Sequence, residues 1–173
     1  MARRLCVDPG ETVGWSIWTD KGKLLGGGQT PLWTFAMDVW AACDANEGPL
    51  AEYEDGFLRD GIKPEENVGS FTKFVIEKFT LYPWEAKNLA WDEFRTSQLI
   101  GALTFIAAVH QIDVHKQPAT IKERALAGGA SELFVKPVVE NRHTNDSIMH
   151  GWFYEQSLKG NRIPKVKDGF TNA

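Results

Sequence analysis

The sequence has little cysteine, no long apolar run and no excess of positive charge, and each shortage removes a class of protein. Two cysteines occur in 173 residues, Cys6 in a strand-like segment and Cys43 in a helix-like one. Two thiols so spaced give neither a disulfide framework nor a zinc-ligand pattern, so both read as small core hydrophobes. No apolar stretch approaches the roughly 20 residues that span a bilayer, and Met1-Ala2-Arg3-Arg4 passes directly into a short strand rather than a secretory leader. The expectation is a cytoplasmic protein with no membrane partner. Internal repeats and low-complexity segments are also lacking. The formal net charge is −4, which disfavours indiscriminate adhesion to nucleic acid.

What remains is a 43% hydrophobic, 24% charged chain, long enough for one domain that buries about 70% of its unfolded surface. Its charge is unevenly placed. Residues 1–115 hold 10 Lys/Arg against 17 Asp/Glu, whereas residues 116–167 hold 9 against 5. Much of the acidity falls in a Gly- and Pro-containing stretch at about 44–70, which reads as a loop-rich excursion. The basic C-terminal third permits a nucleic-acid partner. We therefore expect one domain over residues 1–158 with an acidic insertion, followed by a basic flexible tail at 159–173.

Along the chain, Leu5–Val7, Gly14–Thr19 and Leu24–Thr30 read as strands joined by the turns Pro9-Gly10-Glu11-Thr12 and Asp20-Lys21-Gly22-Lys23, an antiparallel meander with the most apolar strand first. Thr30-Pro31 offers a capped helix start, and residues 31–43 place Trp33, Met37 and Trp40 on one helical face. Phe71–Phe79 is a fourth strand. A long helix over about 87–110 carries the apolar stripe Leu99, Leu103, Ile106 and Val109 beside the small residues Gly101 and Ala102. Asp113–Gln117 is a short strand, Thr120-Ile121-Lys122-Glu123 fits a capping box, and Phe134–Val139 is an extended connection. A final helix is entered through Asn141–Ser147.

Three acids occupy comparable places: Asp8 and Glu77 at the ends of core strands, and Asp146 in the first turns of a helix. An ionised carboxylate is seldom buried without a partner. Grouped carboxylates repel one another unless a cation lies between them, and Mg²⁺ and Mn²⁺ are the hard cations that favour such oxygens. Two such ions about 4 Å apart can support phosphodiester cleavage. His143 lies three residues before Asp146, on the same helical face, and His150 continues that face. Plainer readings stand beside these. Asp8 also fits a turn residue capping its own backbone, Glu77 an exposed strand acid paired with a lysine, and Asp146 a helix-dipole acid with Asn145 or Thr144 as the N-cap. His110, His115 and His150 read as structural or solvent-facing.

In order along the chain, Val7-Asp8-Pro9-Gly10 with Gly14-Trp15-Ser16-Ile17, then Phe74-Val75-Ile76-Glu77, Gly101-Ala102-Leu103 and His143-Thr144-Asn145-Asp146-Ser147 resemble the RuvC-like Holliday junction resolvases of the RNase H-like superfamily, most closely their bacteriophage forms. The resemblance covers roughly residues 3–157. It implies an α/β, RNase H-like fold: a mixed five-stranded sheet, its first three strands antiparallel, flanked by helices. It further implies a metal-dependent endonuclease that cuts four-way or branched DNA. Asp8, Glu77 and Asp146 would be catalytic metal ligands, and His143 would stand where many members carry a fourth acid and some a histidine. Mg²⁺ or Mn²⁺, two ions per site, would be the cofactor, and a homodimer through the helix around Gly101 the working form. If the chain is phage-encoded, its compartment would be the bacterial host cytoplasm. Phe79, Tyr82 or Trp84 would enter the opened junction, although aromatics beside a proline are more often core anchors. Lys116, Lys122, Arg124, Lys136 and Arg142 fit phosphate contacts with salt-sensitive affinity or an ordinary solvated face. The rival readings are an RNase H-like nuclease for RNA–DNA hybrids or flaps, a catalytically silent DNA-binding scaffold, and a nucleotide-binding lobe resembling the actin-like ATPases, for which the chain is too short.

Overall fold

The computed structural model describes residues 2–44, 70–79 and 94–164. The strands are β1 (Arg3–Asp8), β2 (Thr12–Thr19), β3 (Leu24–Pro31), β4 (Phe71–Glu77) and β5 (Asp113–Gln117). The helices are α1 (Leu32–Asp44), α2 (Arg95–Val109), α3 (Ile121–Ala127) and α4 (Arg142–Leu158), with a short 3-10 turn at Ala130–Leu133. The strands form one mixed sheet in the order β3-β2-β1-β4-β5. β1, the most apolar, is central, antiparallel to β2 and parallel to β4, and β5 adds in parallel beyond β4. The expected meander and the expected mixed five-stranded sheet are both present.

Strand alternation decides what each face carries. Leu5, Val7, Val13, Trp15 and Ile17 point to the side covered by α1 and α2, where they pack with Phe35, Val39, Leu99 and Leu103. Cys6, Trp18 and Val75 point to the opposite side and pack against Ile148 and Tyr154 of α4. Asp8 lies two residues beyond Cys6, and Glu77 two beyond Val75, so both acids face α4. The parallel register pairs Val7 with Ile76, which leaves Asp8 and Glu77 as the next residues on adjacent strands.

α4 lies against β2 so closely that a Cβ on Gly14 would come within 1.8 Å of the His143 carbonyl oxygen. Gly14 is also the residue paired with Asp8 across the β1–β2 ladder. The start of α4 is therefore seated directly beside the end of β1. At its other end α4 is tied to the start of β1 by an ion pair between Arg4 and the buried Glu155.

Several local expectations are corrected. α1 buries Leu32, Phe35, Ala36, Val39, Ala42 and Cys43, whereas Trp33 and Met37 are 58% and 67% exposed. Apolar residues nearly encircle this helix, so periodicity alone could not choose the face the sheet accepts. Pro31 closes β3 rather than opening the helix, and the Thr30 hydroxyl accepts a hydrogen bond from the Trp15 indole instead of capping. Val109, in the expected stripe of α2, is 48% exposed. Thr120 makes no side-chain cap, and Thr144 and Asn145 lie inside α4, which begins at Arg142. Most of the acidic excursion, the end of the basic tail and the first part of the long helix lie outside the described residues.

Both cysteines are buried and unpaired, and burial pushes the Cys43 thiol up to about 12 and the Cys6 thiol upward as well. Neither should react with a thiol reagent at pH 8 faster than the protein unfolds, which a comparison of labelling and unfolding rates checks. Gly14→Ala should cost about 1–3 kcal/mol or more in chemical denaturation, because the opposing atoms are backbone and cannot rotate away.

Candidate active site

Three elements bring their acids to one point. Asp8 ends β1, Glu77 ends β4, and Asp146 projects from the second turn of α4. The fourth participant is Lys122, on the first turn of α3. Its Nζ lies 2.8 Å from Asp8 Oδ1, 2.7 Å from Glu77 Oε2 and 2.9 Å from Asp146 Oδ2. An ammonium has three protons to donate, and here each carboxylate receives one. Three carboxyl groups thus share one ammonium, so acids outnumber the cation at a centre held partly away from water.

This arrangement shifts the groups in different directions. At Glu77 burial would raise the carboxyl pKa, but hydrogen bonds from His150 and Lys122 outweigh it and hold the group down to about 2. At Asp8 burial dominates and pushes the carboxyl up, with the Glu77 charge adding to it and Lys122 and His143 opposing. Burial acts to lower the Lys122 ammonium, yet the attraction of Asp8 and the hydrogen bonds to all three acids raise it. Lys122 is therefore a fixed cation at any ordinary pH.

Two histidines flank the acids. His143 Nδ1 lies 3.1 Å from Asp8 Oδ2, with the ring partly open to solvent. Its backbone N–H donates to Gln29 Oε1 at 2.9 Å, and Gln29 Nε2 donates to the Glu140 carbonyl at 2.8 Å. Gln29 thereby fastens the entry of α4 to β3. Asn145, buried one residue before Asp146, accepts from the Val135 N–H and donates to the Val135 carbonyl, holding the connection that leads into the helix. On the far side, fully buried His150 places Nε2 2.9 Å from Glu77 Oε2 and Nδ1 2.8 Å from Gln117 Oε1. His143, Asp146 and His150 follow three- and four-residue steps along one helical face.

The donor set suits a hard divalent cation. The acids already surround one positive centre at hydrogen-bonding distance and outnumber it, and ligand atoms of Asp8, Glu77 and His150 lie within 4.8 Å of one another. Asp8, Glu77 and Asp146 could hold such an ion, with His143 contributing nitrogen, whereas both nitrogens of His150 are taken up by Glu77 and Gln117.

The four residues singled out as catalytic, Asp8, Glu77, His143 and Asp146, are brought together. Lys122, read as a solvated or phosphate-contacting base, is the hub of the acids instead. His150, read as structural or solvent-facing, touches Glu77; its spacing from His143 and Asp146 was the available signal. Phe79 is half-buried just past β4, while Tyr82 and Trp84 lie outside the described residues. Lys116, Lys136 and Arg142 are exposed. Arg124 lies over the Phe153 ring at 5.0 Å and donates from Nε to the Pro164 carbonyl, so it is engaged in packing the chain's own surface.

No protein-family sequence model matches the chain, and no curated protein matches it by sequence. Solved structures do. Thermus thermophilus RuvC in complex with Holliday junction substrate superposes with a TM-score of 0.53 at 12% identity, covering 95% of this chain and all of that one. A second T. thermophilus RuvC structure gives 0.51 at 16% identity over 94% and 99% of the two chains. At such identity the likeness is one of fold, and it extends over nearly the whole length of both proteins.

Lys122→Met, of similar length but without charge, should destabilise the protein in chelator by on the order of 2 kcal/mol, because three clustered carboxylates lose their cation. The 21% exposure of the Lys122 side chain keeps the loss below that of a fully buried pair. Urea denaturation with chelator and with millimolar Mn²⁺ should show the deficit shrinking when the divalent ion is present.

Proposed function

We propose that this protein is a divalent-metal-dependent endonuclease that hydrolyses the backbone of four-way or otherwise branched DNA. The observation that carries the reading is the convergence of Asp8, Glu77 and Asp146, from two parallel strand ends and one helix, on a single cationic position. The fold shared with RuvC supports it, and one of the two RuvC structures is of a complex with Holliday junction substrate.

Mg²⁺ or Mn²⁺, two ions per site, is the cofactor in this reading; bound there, it offers positive charge to the phosphate and makes water more acidic. Asp8, Glu77 and Asp146 hold it, each on an element that packing fixes in place. Lys122 yields its carboxylates and serves as a counter-charge for the phosphate. His143, touching Asp8 and partly open to solvent, holds or passes a proton at Nδ1.

Residues 1–158 form the nuclease domain in this proposal, and residues 159–173 a basic tail. Phe79 and the exposed Lys116, Lys136 and Arg142 are candidates to meet the DNA. A second copy would pack against α2. Phe105 and Val109 are exposed there, and a Cβ on Gly101 would meet no atom within 4 Å, so the helix offers an open surface for close approach. No helix among the described residues is long and apolar enough to cross a membrane.

Asp8→Asn should lower the cleavage rate of a synthetic four-way junction by about a thousandfold or more, as expected when several kcal/mol of transition-state stabilisation are lost. Junction binding should persist, since the change removes negative charge near phosphate. Wild-type cleavage by the variant would defeat the assignment. Preferential cutting of an RNA–DNA hybrid in the same assay would replace the substrate.

A further inference from the structure

Glu77 is supported from behind by two residues that the proposed chemistry does not use. β5 lies beside β4 with Gln117 opposite Glu77, so the ends of three adjacent parallel strands present Asp8, Glu77 and Gln117 in a row. His150 drops from α4 between the last two. Its ring bridges them, Nδ1 to Gln117 at 2.8 Å and Nε2 to Glu77 at 2.9 Å. Both His150 and Gln117 are buried.

A polar ring in such a place is costly unless both nitrogens are bonded, and both are. The structure sets Gln117 Oε1 against Nδ1 and Glu77 Oε2 against Nε2, so an oxygen stands at each ring nitrogen and the imidazole bridges the two side chains. Glu77 Oε2 is the same oxygen that faces Lys122. The orientation of the carboxylate toward the centre is thus fixed by a buried partner, whereas Lys122 is partly exposed.

We propose that Gln117 and His150 form a brace that orients the Glu77 carboxylate for metal binding, a positioning pair rather than catalytic residues. The inference rests on the metal-dependent nuclease reading and deepens it. Partners of this kind hold a ligating group in its binding orientation, and their loss typically costs about 10- to 100-fold in metal affinity.

The test is Mn²⁺ titration calorimetry on the full chain, with thermal melting and junction-cleavage kinetics on the same samples. His150→Leu should lose about 10- to 100-fold in Mn²⁺ affinity, with kcat falling and KM for the junction unchanged. His150→Gln, able to donate to Glu77, should recover much of the loss. Gln117→Leu, which leaves the imidazole in place but unoriented, should show a smaller loss of the same kind. If His150→Leu fails to fold, His150→Gln and Gln117→Leu decide the matter. Unchanged Mn²⁺ affinity in the folded variants, with only the melting temperature lowered, would overturn the brace and leave His150 as a core residue. A loss in His150→Gln as deep as in His150→Leu would overturn it in favour of direct ligation. A wild type that neither binds Mn²⁺ nor cuts the junction would defeat the nuclease reading and the brace together. A competent wild type with unaffected variants defeats the brace alone.

Discussion

Mutual repulsion among Asp8, Glu77 and Asp146 is the constraint to which the rest of the molecule answers. Three carboxylates partly withdrawn from water stay close only if something positive stands among them and something rigid stands behind each. Lys122 meets the first requirement. The second falls to the sheet and α4. Hydrogen-bonded neighbours on both sides hold the ends of β1 and β4, and a helix pressed on backbone holds Asp146. A loop-borne acid would swing away from its neighbours; these cannot without breaking the ladder.

The two faces of the sheet divide the labour. The side under α1 and α2 is a large apolar core that fixes strand order and register. The side under α4 is smaller and more polar, with Cys6, Trp18 and Val75 giving way toward one end to Asp8, Glu77, Gln117 and the two histidines. Several polar residues there close their bonds among themselves: Gln29 with the start of α4, Asn145 with the connection before it, and His150 between Glu77 and Gln117. Such groups stabilise only as complete sets, which is why each buried amide near the centre serves a neighbouring backbone or ring.

Much of this could be read from residues alone, for identifiable reasons. Short apolar runs separated by turn chemistry gave away the meander and the central strand. Alternation along those runs, carried two residues further, puts Asp8 and Glu77 on a common face. Helix faces were harder. In α1 almost every side could have been buried, and only the sheet selects Phe35 and Val39 over Trp33 and Met37. The Thr120 capping pattern was present in letters but not in geometry. Lys122 and His150 were hidden for different reasons. A lysine amid a basic segment looks like surface until the acids it faces are placed, and nothing local says that β5 ends beside β4 with a glutamine to receive a ring. His150 did share a helical face with His143 and Asp146, yet spacing cannot tell a buried imidazole from an exposed one.

α4 is fastened to β1 twice, by Arg4 and Glu155 at one end and by the seat of His143 on Gly14 at the other. A bar pinned at both ends holds Asp146 in its seat opposite Asp8. Lys122 belongs to neither the sheet nor α4: it reaches the acids from α3, which rests its buried Ala125 beside Met149 and its Gly128 against Trp152 of the same bar. The acids and their cation thus share one anvil, with α4 as its block.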